Sequence, residues 1–202
     1  MKPNYSVIVD DFLEQPLAIR DIALNLEYKS SYTGIYAGKR TLSLNLTHEP
    51  LYTKISKKIL SYYNLDFNDY NAEMCFHITE GKFGKQGWVH SDYPVILSSV
   101  LYLNPSINGI DSGTSLFDKN PGFSAHSQKE ILTLKKSFIQ GIDCIKEKEK
   151  FNSNYTKTVV IGGKFNRLVI YPGNVFHTGE GYFGNNVCDS RLTLVSFVYK
   201  KE

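Results

Sequence analysis

RLVIYPGNVFHTG, residues 167–179, is an apolar run, a Pro172-Gly173-Asn174 break and a second short run that ends on a histidine. β-Branched and aromatic residues on either side of proline, glycine and asparagine spell a strand, a tight turn and another strand. The same texture extends from Asn71 towards the C-terminus. Strands are expected at Ala72–Ile78, Trp88–Ser91, Val95–Leu103, Thr114–Phe117, Val159–Ile161, Arg167–Tyr171, Val175–His177 and Leu192–Tyr199. Many short strands separated by such turns predict a sandwich or barrel. A helical pattern over about 128–150 reads as an insertion between strands. Upstream, Tyr5–Phe12 reads as a strand, and Pro16 opens a helix to Leu26. Leu42, Leu44 and Leu46 alternate as in a half-buried strand, and Leu51, Ile55, Ile59 and Leu60 form one stripe of a helix over Pro50–Tyr63.

A chain of 202 residues suits one domain. The expectation is a mainly β fold with flanking helices spanning 1–202, with a strand and helix support over 1–70 and a β core over 71–200. Charged residues make up 21% and carry a net charge of +3, with 23 basic and 20 acidic side chains interspersed. That balance gives no electrostatic case for nucleic acid, without excluding it. The run Lys146 to Lys150 alternates in sign, as a solvated helix face does. Cys75, Cys144 and Cys188 form no CxxC pair, which argues against a disulfide framework or a thiolate zinc site. With no leader and no apolar span at the membrane-crossing length, a cytoplasmic protein with no membrane partner is expected.

Chemistry concentrates at His90-Ser91-Asp92, placed at a strand end. Positions i and i+2 of a strand share a face, so imidazole and carboxylate converge. His177, in the quoted passage, offers a third ligand from another strand. Two imidazoles and one carboxylate on one octahedral face suit Fe(II), leaving positions for a bidentate oxoacid and O2. A surface His-x-Asp dyad is the plain alternative. Arg191 opens an otherwise apolar strand, and a buried guanidinium implies an anion, for which its planar fork matches a carboxylate. Thr193 faces the same way. The competing reading has Arg191 paired with Asp189. His48 and His126 lack ligand-spaced neighbours, and Gly162-Gly163 and Gly179-x-Gly181 lack the helix that phosphate binding requires.

Taken in order, His90-x-Asp92, Val100-Leu101-Tyr102-Leu103-Asn104, Gly113-Thr114-Ser115-Leu116-Phe117, His177 and Arg191-x-Thr193 resemble the double-stranded β-helix (jelly-roll, cupin-like) core of the Fe(II)/2-oxoglutarate-dependent oxygenases. The prolyl-4-hydroxylase-like branch, with its short bacterial and phage members, is the most similar. The resemblance covers about 71–199, with the first seventy residues similar to the helical support of that family. It implies metal ligation by His90, Asp92 and His177, with Arg191 and Tyr102 holding the distal carboxylate of 2-oxoglutarate. It places His77 near the keto-acid end, although a buried structural histidine is the preferred account of that residue. Ser112 stands where the family's hairpin has a glycine.

The resemblance implies a dioxygenase that couples decarboxylation of 2-oxoglutarate to C–H oxidation, with Fe(II), 2-oxoglutarate and O2 as cofactor and cosubstrates. Hydroxylation is expected, because related halogenases leave the Asp92 position empty. A peptidyl side chain or a small molecule is the expected substrate, gripped by loops at Ser30–Arg40, Lys119–Gln128 and Gly179–Asp189, and Trp88 either lines the mouth or packs in the core. Oligomeric state has no sequence signal. Two rivals stand beside this reading: a non-catalytic jelly-roll binding module, and a cupin-type metal dioxygenase that makes no use of 2-oxoglutarate.

Overall fold

Period-two alternation in the last strand organises the molecule. The computed structural model describes residues 3–30, 36–106, 108–123, 130–133, 136 and 145–201. Within them the chain runs β1 (Val7–Val9), α1 (Pro16–Leu24), β2 (Lys29–Ser30), β3 (Lys39–Arg40), α2 (Leu44–Thr47), α3 (Glu49–Ser61), β4 (Tyr70–Thr79), β5 (Leu97–Tyr102), β6 (Asn108–Lys119), α4 (Ile145–Asn152), β7 (Tyr155–Lys164), β8 (Leu168–Pro172), β9 (Phe176–Glu180) and β10 (Arg191–Lys200). The large sheet has the order β1-β8-β5-β10-β4-β3-β2, and the small one β7-β6-β9. All pairings are antiparallel.

β10 pairs with β4 along its whole length and with β5 from Thr193 to Val198. Its even-numbered residues Leu192, Leu194 and Val198 join Met74, Phe76, Ile78, Leu101 and Ile170 under Ile55, Ile59 and Leu60 of α3. Burying apolar surface on that face fastens the N-terminal helices to the sheet. Its odd-numbered residues face the small sheet, where Val195, Val100, Tyr102, Val169 and Tyr171 meet Leu116 and Ile161. This is the mainly β sandwich that the strand pattern predicts. No helix among the described residues is long and apolar enough to cross a membrane.

Two expected strands are corrected. Leu42–Leu46 does not continue as a strand. Thr41 N still bonds to Phe76 O at 3.0 Å, but beyond it hydroxyls replace the backbone on the β4 edge. Thr41 Oγ1 accepts from Phe76 N at 3.1 Å and Ser43 Oγ from Met74 N at 3.4 Å. The freed main chain coils into α2, with His48 N bonded to Leu44 O at 2.7 Å. Leu44 is therefore fully buried, while Leu42 and Leu46 are 56% and 74% exposed. Trp88–Ser91 likewise forms no strand, only an isolated bridge at His90. A turn closes directly behind it, Val95 N to Asp92 O at 2.9 Å, and Pro94 has no N–H to extend a ladder.

Of the expected helical insertion, residues 130–133, 136 and α4 are helical. The rest of 128–150, with His126 and Cys144, lies outside the described residues. If α2 replaces a strand, Leu44→Ala should cost about 2–5 kcal/mol and Leu46→Ala less than about 0.5 kcal/mol. Urea unfolding measures both, and equal losses would restore the strand.

Candidate active site

His90 and His177 belong to segments joined by reciprocal backbone bonds, His90 N to His177 O at 3.1 Å and His177 N to His90 O at 2.8 Å. Directly opposed residues project to one side of the ladder, so the two rings lie 4.5 Å apart, centroid to centroid. Asp92, two residues on, is held by Asp92 N bonding to Gly173 O at 2.7 Å. Its carboxylate reaches His90 Nε2 at 3.5 Å and His177 Nε2 at 3.3 Å. One ligand atom from each of the three residues falls within 4.8 Å of the others.

Tautomers follow from the backbone. His90 Nδ1 lies 2.8 Å from Trp88 O and His177 Nδ1 lies 3.0 Å from Val175 O. Carbonyl oxygens only accept, so each Nδ1 carries the proton, and the neutral form of each ring turns the lone pair of Nε2 inward. Burial works to raise the Asp92 carboxyl, but His177, then His90 and the Ser98 hydroxyl, outweigh it and hold it well below the usual carboxylate range. Ser98 Oγ donates to Asp92 Oδ2 at 2.6 Å. Three acceptors thus converge on one point, and the donor set fits a divalent metal of borderline softness.

Arg191 is 4% exposed at the start of β10. Its Nη2 donates to Gly113 O at 3.0 Å, while Nε is buried with no hydrogen-bond partner. Asp189 is not its counter-ion, because Oδ1 of Asp189 accepts from the backbone of Asn185 and Asn186 at 2.8 and 2.9 Å. Cζ of Arg191 lies 5.4 Å from the Tyr102 ring centroid and 5.7 Å from that of Tyr182. Tyr102 is fully buried, and its hydroxyl meets Thr114 Oγ1 at 2.7 Å. Burial raises its phenol, against the charge of Arg191 and the Thr114 bond.

Thr193 sits between His77 and Tyr102 in the ladder, but its hydroxyl donates to His77 O at 3.4 Å. His77 lines the cavity with Nε2 already engaged by Ala37 O at 2.6 Å. Burial first, and then Arg40, push its imidazole well below the ordinary value, so it is neutral.

His77, His90, Asp92, Thr114, His177 and Arg191 line a cavity of about 530 Å³ between the sheets, and the fully buried Tyr102 and Thr193 lie behind that lining. Trp88 satisfies both readings, since it lines the cavity and packs edge-on against Phe151 with ring centroids 5.4 Å apart. The expected rim contributes Tyr36, Arg40 and Tyr182; residues 31–35 and 124–129 lie outside the described set. Tyr182 falls within the expected rim and Thr114 within the Gly113–Phe117 motif, but the sequence singles out neither as a site residue. Tyr182 folds inward because Gly87 and Gly179 leave it room: a Cβ on Gly87 would come within 2.6 Å of its hydroxyl.

The fold is a double-stranded β-helix, the architecture of prolyl hydroxylases and other 2-oxoglutarate/Fe(II) oxygenases. It superposes on a prolyl hydroxylase from Trichoplax adhaerens in complex with a hypoxia inducible factor oxygen degradation domain peptide, at TM-score 0.54 and 14% identity over 96% of this chain and 83% of that one. For a Pseudomonas putida prolyl-4-hydroxylase the values are 0.55, 13%, 98% and 93%. For HygX from Streptomyces hygroscopicus, with nickel and 2-oxoglutarate bound, they are 0.57, 9%, 96% and 82%. At these identities the likeness is one of fold. A family model described as "Family of unknown function (DUF6445)" matches residues 2–198, and the chain belongs to that family. A comparison with curated proteins gives no match.

Gly173 is where the two ligand-bearing segments meet: a Cβ there would overlap the Val95 carbonyl oxygen. Gly173→Ala should lower stability by about 1–3 kcal/mol, read as a fall in melting temperature. An unchanged melting curve would show that the turn is not tightly packed.

Proposed function

We propose that this protein is an Fe(II)- and 2-oxoglutarate-dependent dioxygenase that hydroxylates a C–H bond of a peptide side chain or small molecule. The observation that carries the reading is the convergence of His90 Nε2, His177 Nε2 and an Asp92 oxygen, all acceptors, with both Nδ1 protons committed to backbone carbonyls. With the rings neutral, a bound cation would supply the positive charge that holds three such acceptors together. Iron, when bound, supplies the oxidising power that couples decarboxylation of 2-oxoglutarate, to succinate and CO2, with substrate oxidation.

The side chains supply position and charge. Arg191, with an unused Nε beside Tyr102, is the anchor for the distal carboxylate of the oxoacid. Thr114 orients the Tyr102 phenol towards it, and Thr193 and His77 support the floor of that subsite. The apolar walls, with Tyr171 centred 4.5 Å from His177, exclude water from the metal face. The solved structures of like fold support the reading, since one contains nickel and 2-oxoglutarate and another a peptide.

Calorimetry should find one site for Mn(II), weakened on the order of a hundredfold in Asp92→Ala or His177→Ala. With Fe(II), ascorbate and O2, 2-oxoglutarate should be converted to succinate. Arg191→Met should raise the 2-oxoglutarate requirement at least about tenfold. Succinate formation that is indifferent to iron would defeat the proposal. Turnover of a cosubstrate-free kind, unaltered in Arg191→Met, would instead favour the cupin-type dioxygenase.

A further inference from the structure

The cavity holds a second guanidinium whose role the oxoacid does not explain. Arg40 ends β3, opposite His77 in the β3–β4 ladder, and lines the same cavity. Its Cζ lies 3.9 Å from the Tyr36 ring centroid and 5.2 Å from that of Phe197. Rings set against a guanidinium fix its plane and leave its N–H edge to an acceptor. Yet Arg40 Nε is buried without a hydrogen-bond partner, and no carboxylate of the described residues lies within ion-pair distance. Glu80, near the same sheet edge, is taken up by Lys39 and Lys82. A buried N–H with no acceptor forfeits its hydration and gains nothing in return, so the site is incomplete as it stands.

Neighbours separate Arg40 from the oxoacid anchor. Through His77, Arg40 is level with Thr193, two residues from Arg191 along β10, and both charges act on His77. The two guanidiniums nevertheless pack against different rings, Arg40 against Tyr36 and Phe197, Arg191 against Tyr102 and Tyr182. Phe197 is also the ladder partner of Ser98, which hydrogen-bonds to Asp92. Arg40 therefore borders the cavity from the β3–β4 side through Phe197, and Arg191 borders it beside Tyr102 and Tyr182. Tyr199 and Phe197 extend the aromatic wall there.

We infer that Arg40, clasped between Tyr36 and Phe197, binds a carboxylate or phosphate group of the prime substrate, in a subsite separate from that of Arg191. Calling this ligand the prime substrate rests on the oxygenase reading; the anion site itself does not. The substrate class is then an anionic molecule with an apolar or aromatic body that fills the cavity between Phe197 and Trp88.

The test uses phenylacetate and phenyl phosphate as anionic probes and phenylacetamide as the neutral analogue. They are titrated by calorimetry into full-length Arg191→Met protein loaded with Mn(II), so that the oxoacid anchor cannot capture them. An anionic probe should bind, phenylacetamide should bind at least about tenfold more weakly, and Arg40→Gln in the same background should abolish the preference. Arg40→Lys should restore only part of it, because the ammonium keeps the charge and loses the fork. The ratio of the two anions tells carboxylate from phosphate. Melting curves verify that each variant is folded. Absence of anion binding, equal binding of the neutral analogue, or binding that survives in folded Arg40→Gln would overturn the inference. Anaerobic titration of 2-oxoglutarate into wild-type, Arg191→Met and Arg40→Gln proteins separates the two ideas. Loss in Arg191→Met alone agrees with two subsites, and loss in Arg40→Gln alone makes Arg40 the oxoacid anchor and overturns the inference. Failure of 2-oxoglutarate to bind any of the three sinks the oxygenase reading and leaves the anion site to the probes.

Discussion

The reciprocal backbone bonding of His90 to His177 is the constraint on which the rest of the site depends. An antiparallel bridge points its opposed side chains in one direction, so a single pair of hydrogen bonds sets the spacing of two imidazoles from distant segments. Because the ladder goes no further, the chain can turn after His90 and bring Asp92 back to Gly173 O. A longer strand would hold Asp92 flat in a sheet. The missing side chain of Gly173 lets the Val95 carbonyl approach and closes that turn. Local sequence chemistry, a proline without a donor and a glycine without a Cβ, becomes the geometry of a cluster that could hold a metal ion.

The large sheet carries two unlike faces, and the contrast locates function. The face under α3 is filled with aliphatic side chains at close packing. The face towards the small sheet trades some of that packing for His77, Arg191 and Tyr102, with Tyr182 reaching in from the loop after β9. Buried polar groups persist at tolerable cost only when partners meet their hydrogen-bonding capacity. Some partners are internal: Thr114 for Tyr102, Ala37 for His77 and Gly113 for one arm of Arg191. The guanidinium Nε atoms of Arg191 and Arg40 are left over, and both border the cavity.

Much of this architecture was legible in the sequence, because period-two alternation and turn residues act locally. The RLVIYPGNVFHTG passage folds as β8, a turn and β9, and the i, i+2 spacing of His90 and Asp92 places both on one side, although no regular strand forms there. Alternation failed at Leu42, Leu44 and Leu46. There the deciding interactions are hydroxyls of Thr41 and Ser43 standing in for main-chain partners on a remote strand, which no periodicity records. Tyr182 and Arg40 fell within the expected loops and Thr114 within the Gly113–Phe117 motif, but none was singled out as a site residue. Each acquires its place from a neighbour far away in sequence: Gly87 for the first, Tyr102 for the second, Phe197 for the third.

The two rival accounts of the fold make different demands on Arg191. A sandwich that merely binds or scaffolds has no need of a buried cation, and an apolar side chain of similar volume would pack there at lower desolvation cost. A metal dioxygenase without an oxoacid likewise needs its ligands but not an anion anchor beside them. Arg191 is buried, satisfied on one arm by Gly113 O, free of the nearby Asp189, and left with Nε facing no acceptor. A fixed charge held in that state is useful to a protein that repeatedly receives a small carboxylate and releases it. The same argument, applied to Arg40 with its unpaired Nε on the same cavity, is the ground for a second anion site.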